Sequence, residues 1–215
     1  MKKVQKLHPS RSYLKFENVI LRSLNLISLQ KSLEKRLSEA NRQNGIDITD
    51  LSRASVVLSI AAMDSYFTDI FAERFIPFLK KKGPTSDIVK FLNDGGFDTK
   101  LALELLSKER PYRRIRTLIE EYLEKHTTQK TETIDKLFLA YGLKDFSSRV
   151  QEYKKRKTLI RSIEILVERR NQIAHDGDIN SYGKLNLIKT EDIGKRIKDV
   201  VAFVSGADEI LRKQF

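Results

Sequence analysis

Leu51-Ser52-Arg53-Ala54-Ser55-Val56-Val57-Leu58-Ser59-Ile60-Ala61-Ala62-Met63-Asp64-Ser65-Tyr66-Phe67 is the stretch whose periodicity decides the fold class. At helical spacing Leu51, Ala54, Leu58, Ala61 and Ala62 fall on one side and Val56, Ile60, Met63 and Phe67 on the opposite side. A helix that is apolar almost all round belongs in the middle of a bundle. Thr49 or Asp50 can cap it, and its pattern continues to about residue 80. Pro77 is expected to bend or end it, and Lys80-Lys81-Lys82-Gly83-Pro84 reads as an exposed basic turn.

Upstream, Leu14, Val19, Ile20, Leu24, Ile27, Leu33 and Leu37 recur at mostly three- and four-residue steps, predicting a long amphipathic helix over about 12–41 that Gly45 closes. Residues 1–10 read as a frayed basic leader. Downstream, between 85 and 141, the pattern breaks into shorter helices: one after Ser86, one after Asp98, one opened by Pro111 and one opened near Thr131. None of these is long enough to build its own core, so about 85–142 is expected to be an insertion packed on the bundle of a single domain spanning 1–215. Another strong helix is predicted from about 149 to 174, then a loop rich in Gly, Asp and Asn over 176–183. A final helix capped by Thr190 carries Ile193, Ile197, Val200, Val201, Val204, Ile210 and Leu211. The expected class is all-α, a helical bundle of long helices with an inserted set of short ones.

Composition agrees with that class. Of 215 residues 40% are hydrophobic, enough for a sizeable core, while only 4 prolines and 9 glycines punctuate the chain. The formal charge of +12 attracts polyanions, nucleic acid first and an acidic membrane second, although lysines and arginines also populate ordinary solvated helix faces. The absence of cysteine excludes disulfides, a thiol nucleophile and any cysteine-ligated zinc or iron–sulfur site. No apolar signal-peptide core opens the chain and no stretch approaches the roughly 20 apolar residues of a membrane span. The expectation is a soluble protein of a reducing cytoplasm, without a membrane partner.

The chemistry has to come from few residues. The three histidines, His8, His126 and His175, form no metal-ligand spacing with one another or with carboxylates, and no phosphate-binding glycine loop or GxSxG elbow is present. Neither a metal nor a cofactor is therefore expected. On a helix over 159–175, a step of about 100° per residue puts Leu159, Ile163, Leu166, Val167, Ile173 and Ala174 within about 80° of Arg170. Arg170 thus projects from an apolar stripe. A guanidinium keeps its proton and is not buried alone, so the position predicts either a buried ion pair or a cleft that holds an anion. Asn171, Glu164, Glu168 and His175 fall on one adjoining strip, which sets an amide and an imidazole suited to proton transfer beside the cation.

Arg170-Asn171-Gln172-Ile173-Ala174-His175-Asp176-Gly177-Asp178 resembles the RxxxxH motif of HEPN domains, in which Asn commonly follows the Arg. The Leu51 to Phe67 stretch, with Asp64 shortly before Tyr66, resembles the corresponding helix of the RiboL-PSP-HEPN branch. The resemblance implies a bundle whose protomers pair as a homodimer with facing motifs, and RNA cleavage without metal by attack of a ribose 2′-OH on its own phosphate. It further implies roles for Arg170, Asn171, His175 and Asp64. His175 acts as general base or acid, Arg170 binds the scissile phosphate, and Asn171 orients a phosphate oxygen or His175. Asp64 either joins the site or pairs with Arg170 across the bundle. A toxin or antiviral effector restrained by an antitoxin or other protein partner is the matching biology. A non-catalytic module that binds RNA, nucleotide or a protein is the alternative.

Two basic segments offer an RNA track. Arg110, Tyr112, Arg113, Arg114 and Arg116 combine four guanidiniums with a ring that can stack on a base, and Lys154-Lys155-Arg156-Lys157 precedes the motif helix as a solvated helix end or a phosphate contact. Ile165, roughly 140° from Arg170, lies off the main stripe and is a candidate dimer contact.

Overall fold

The computed structural model describes residues 8–39, 48–125 and 128–215; the expectations placed on residues 1–7, Asn41, Gly45 and His126 lie outside them. Among the described residues nine helices follow in order: α1 (Arg11–Glu39), α2 (Asp50–Lys82), α3 (Ser86–Asp94), α4 (Thr99–Leu106), α5 (Pro111–Glu124), α6 (Thr131–Leu139), α7 (Phe146–Tyr153), α8 (Leu159–Asp176) and α9 (Thr190–Gln214). The chain is all-α, as its periodicity predicts.

α1 runs antiparallel to α2, with Ser12 bonded to Glu73 near one end and Ser52 to Gln30 near the other. Serines let the two backbones approach: Ser23 Oγ donates to Ser55 O at 2.8 Å and Ser55 Oγ to Ser23 O at 2.9 Å, both buried. α9 lies antiparallel to α1, through Gln30 and Thr190 at its start and Ser10 and Asp208 near its end. α8 lies antiparallel to α9, with Ser162 bonded to Asp199. Around the second half of α2, Phe71 meets Phe91 of α3 and Phe138 of α6, and Phe67 meets Phe203 of α9 at 5.6 Å. The short helices therefore contribute to the same apolar cluster as the long ones.

Five local expectations need correction. α2 is not enclosed on all sides: Val56, Ile60, Met63 and Phe67 are buried, but Ala54 and Ala61 are exposed, and Ser52, Arg53, Ser55 and Ser59 are buried in their stead. Hydroxyls that bond neighbouring backbone carry no unmet polar cost, so the α1 contact selects serine over larger apolar residues. α2 is also long and apolar enough to cross a membrane, contrary to the expected lack of such a stretch, yet many of its residues are buried in the bundle. Pro77, expected to bend or end α2, does not end it: the helix runs on to Lys82 before Gly83 closes it at φ 74°. The buried rings of Phe75 and Phe78 anchor the turns on either side, and Phe78 packs on Tyr141 at 4.9 Å. Thr190 is not the α9 cap. It is the first helical residue, buried, and its hydroxyl accepts from Gln30 and donates to Glu34 of α1.

The fifth correction is the helix expected over 149–174, which is two helices, α7 and α8, parted by a turn with Lys155 at φ 54°. Lys154 folds back on α9, its Nζ donating to Glu209 at 2.7 Å and Ser205 at 3.1 Å. Gly206 makes the room, since a Cβ there would meet Lys154 Cε at 2.9 Å and Val150 Cγ1 at 3.0 Å. Partial burial would raise the Glu209 carboxyl, but hydrogen bonds from Lys154, Tyr153 and Ser205 outweigh it and hold the group at about 2. A carboxyl depressed in the folded state stabilises above the ordinary carboxylate range and loses that contribution as pH falls toward 2. Lys154→Met should therefore lower the melting temperature near neutral pH, and the gap from wild type should narrow near pH 2. An equal gap at both would show that the ion pair contributes nothing.

Candidate active site at the end of α8

The apolar stripe of α8 is present: Leu159, Ile163, Leu166 and Val167 are buried and Ile173 is half-buried, although Ala174 is exposed. Arg170 sits among them half-buried. Among the described residues no carboxylate pairs with it; its Nη1 donates to Asn171 Oδ1 at 3.1 Å. Of the two outcomes expected for a cation in an apolar stripe, the buried ion pair is absent among the described residues. Asp64 in particular does not reach Arg170. Its carboxylate accepts from Thr128 N–H at 2.6 Å, Thr128 Oγ1 at 2.6 Å and Gln129 Nε2 at 3.1 Å, which anchors the segment leading into α6.

The polar strip is borne out in part. Glu164, Glu168 and Asn171 line one cleft of about 370 Å³, whose opposite wall is Gln129, Lys130, Thr131 and Glu132 at the start of α6. Asp64 thus shapes this cleft through Gln129. His175 lies one helical turn beyond Asn171, exposed, outside that lining. Gly177 then ends α8 in the left-handed conformation at φ 60°, its N–H returning to Gln172 O, a cap that a β-carbon would strain.

The residue that holds this helix end was missed. Asp178 is 0% exposed and its Oδ2 accepts from Arg53 Nε of α2 and from Arg169 Nη2, both at 2.7 Å. Arg53 also donates to Asn186 O at 2.9 Å, and Asn186 Nδ2 to Asp178 O at 3.1 Å. The neighbouring arginines of α8 thus divide: Arg169 is committed to Asp178, and Arg170 faces a different side. A signal existed in the sequence, since Arg53 is the one charged residue from Leu51 through Met63 and needs an acid, but only the fold brings Asp178 to it.

The basic segment of α5 lies elsewhere. Tyr112 sits under Lys80 Nζ at 4.6 Å, at the far end of α2 from Arg53. At 1.5 Å per residue Arg53 and Lys80 are about 40 Å apart along α2. Arg116 pairs with Glu120 at 2.9 Å and Arg114 with Glu121 at 3.6 Å, while Arg110 and Arg113 are exposed. The fold does not bring these residues to the α8 motif of the same chain. In the second basic run Lys154 pairs with Glu209 and Arg156 with Asp199, so these two are not simply solvated. Ile165 is half-buried and lines a groove of about 430 Å³ with Gln172, Leu187 and Ile193. Among the described residues no group of three His, Asp or Glu converges as metal ligands.

No curated protein and no solved structure matches the chain. Residues 20–213 match the family described as RiboL-PSP-HEPN, a span that includes α2, the α8 motif and most of α1 and α9.

Proposed function

Because the chain belongs to the RiboL-PSP-HEPN family, we propose that it is an RNA endonuclease that works without metal through the Arg170, Asn171 and His175 set. The observation that carries this reading is Arg170: a half-buried guanidinium, steadied by Asn171 and left without a carboxylate among the described residues. Such a cation is preorganised for a phosphate. One imidazole removes the proton of the ribose 2′-OH as its oxygen attacks the adjoining phosphorus. The bond to the 5′-oxygen breaks, and that oxygen leaves with a proton from a second imidazole, giving a 2′,3′-cyclic phosphate and a 5′-hydroxyl.

One chain offers a single exposed imidazole in this set, so a homodimer with facing motifs supplies the base and the acid. Asp64 acts by positioning the cleft wall opposite Asn171. Arg110, Tyr112, Arg113, Arg114 and Arg116 would touch RNA remote from the cut. An endonuclease of this kind fits a toxin or antiviral effector held in check by a protein inhibitor.

Incubating the protein with mixed RNA in EDTA tests the mechanism. Cleavage should persist and leave the two ends named above, and a strand with 2′-deoxyribose at the cut site should be bound but not cut. Binding should weaken steeply with salt, since it rests on phosphate contacts. A dependence on added magnesium, or cutting of the deoxy strand at the RNA rate, would refute the mechanism. RNA binding without cleavage would assign the chain to non-catalytic recognition.

A further inference from the structure

Tyr182 is 87% exposed and makes no ring contact, cation contact or side-chain hydrogen bond among the described residues. The other six tyrosines are engaged. Tyr66 and Tyr141 are buried, Tyr13 and Tyr122 pack on phenylalanines, Tyr112 lies under Lys80 and Tyr153 bonds Glu209.

Its backbone, by contrast, is tightly held. Asn180 Oδ1 accepts from the N–H groups of Tyr182 at 3.0 Å and Lys184 at 3.1 Å. Asn180 N–H donates to Lys184 O at 2.8 Å, Gly183 N–H to Asn180 O at 2.9 Å, and Gly183 takes φ 72°. The stem of this turn, Ile179 opposite Leu185, grows from Asp178, itself locked between Arg53 and Arg169. A bare ring on a pinned turn gains nothing within its own chain and is preorganised for a partner outside it.

We propose that Tyr182 is a stacking subsite for an unpaired RNA base next to the strand that His175 cuts, an inference that rests on the RNA reading above. A planar ring accepts any base face, and the chain carries a formal +12 that draws in polyanions. Lys184 is exposed on the same turn and adds a cation beside the ring. Tyr182 lies seven residues after His175, a contour of at most about 25 Å, so one strand can reach both. The aliphatic stem, with Ile179, Leu185 and the 84% exposed Leu187, would suit a protein contact instead, and the experiment separates the two.

The probes are an uncleavable 2′-O-methylated single strand of mixed sequence and an abasic strand of the same length and sugar, with affinity read by fluorescence anisotropy. Wild type should prefer the base-bearing strand. Tyr182→Ala should lose roughly ten-fold affinity for it, keep wild-type affinity for the abasic strand, and sediment like wild type. Tyr182→Phe, which keeps the ring, should stay within about two-fold of wild type. If wild type binds and Tyr182→Ala binds each strand as tightly as wild type does, the subsite is wrong while the RNA reading stands. A changed sedimentation mass with unchanged RNA affinity would make the turn a protein contact and overturn the subsite. Failure of wild type to bind either strand would overturn the RNA reading and the subsite together.

Discussion

His175→Ala should abolish measurable RNA cleavage while the protein stays folded. Removal of a general acid–base group costs about a hundred- to ten-thousand-fold in rate, and a symmetric dimer loses both imidazoles at once. The fold should hardly notice. His175 is exposed on the last turn of α8, and no hydrogen bond or ion pair ties its side chain to another described residue. A surface change of this kind shifts stability by no more than about 0.5 kcal/mol. RNA affinity should also survive, because Arg170 and the basic surface remain. Cleavage rate, melting temperature and RNA affinity, measured on one preparation, separate these effects. A fully active variant would remove His175 from the mechanism.

The opposite profile is expected for Asp178→Ala, where stability takes the large loss. Asp178 is fully buried and accepts from two guanidiniums at 2.7 Å, while Arg53 is itself only 5% exposed. Taking away the shared carboxylate leaves two guanidiniums facing each other, with the exposed Asp50 at 3.2 Å from Arg53 as a weaker counter-charge, a change worth about 3–5 kcal/mol. Denaturant unfolding should show a lower midpoint at an unchanged slope, the mark of lost stability without a change in the surface exposed. Replacing Arg53 and Asp178 together by leucine should recover part of the loss, since desolvated charges are removed along with their attraction. A cost below about 1 kcal/mol for Asp178→Ala would mean that water, not the arginines, satisfies this carboxylate in solution.

These two residues also mark the limit of what the chain discloses before it folds. His175 was legible because a helix repeats every 3.6 residues: once α8 is recognised, the stripe from Leu159 to Ile173, the intrusion of Arg170 and the strip through Asn171 follow from angles alone. The cap of α4 was equally local, with the Asp98 side chain accepting from Leu101 N–H at 2.8 Å, whereas α3 is capped by Thr85, one residue before the expected Ser86. Asp178 was not legible, since its partners lie 125 and 9 residues away and nothing local tells which of many acids will meet which cation. Asp64 shows the same gap from the other side, as a carboxylate with several reachable donors takes the nearest well-aligned ones.

The sequence by itself determined that the chain is helical, that α2 is a core helix and that Arg170, Asn171 and His175 share one helix end, because each rests on the period of a single element. Only the tertiary structure decided that α7 and α8 are separate, that Pro77 does not end α2, that Arg169 is held by Asp178 while Arg170 is left without a carboxylate among the described residues, and that Tyr112 of α5 stands at the far end of α2. The physical reason is that these outcomes are competitions between distant groups for the same partner or the same space. Gly206 admitting Lys154, Phe75 and Phe78 overriding Pro77, and Arg53 reaching Asp178 are settled by packing between elements that no local pattern encodes.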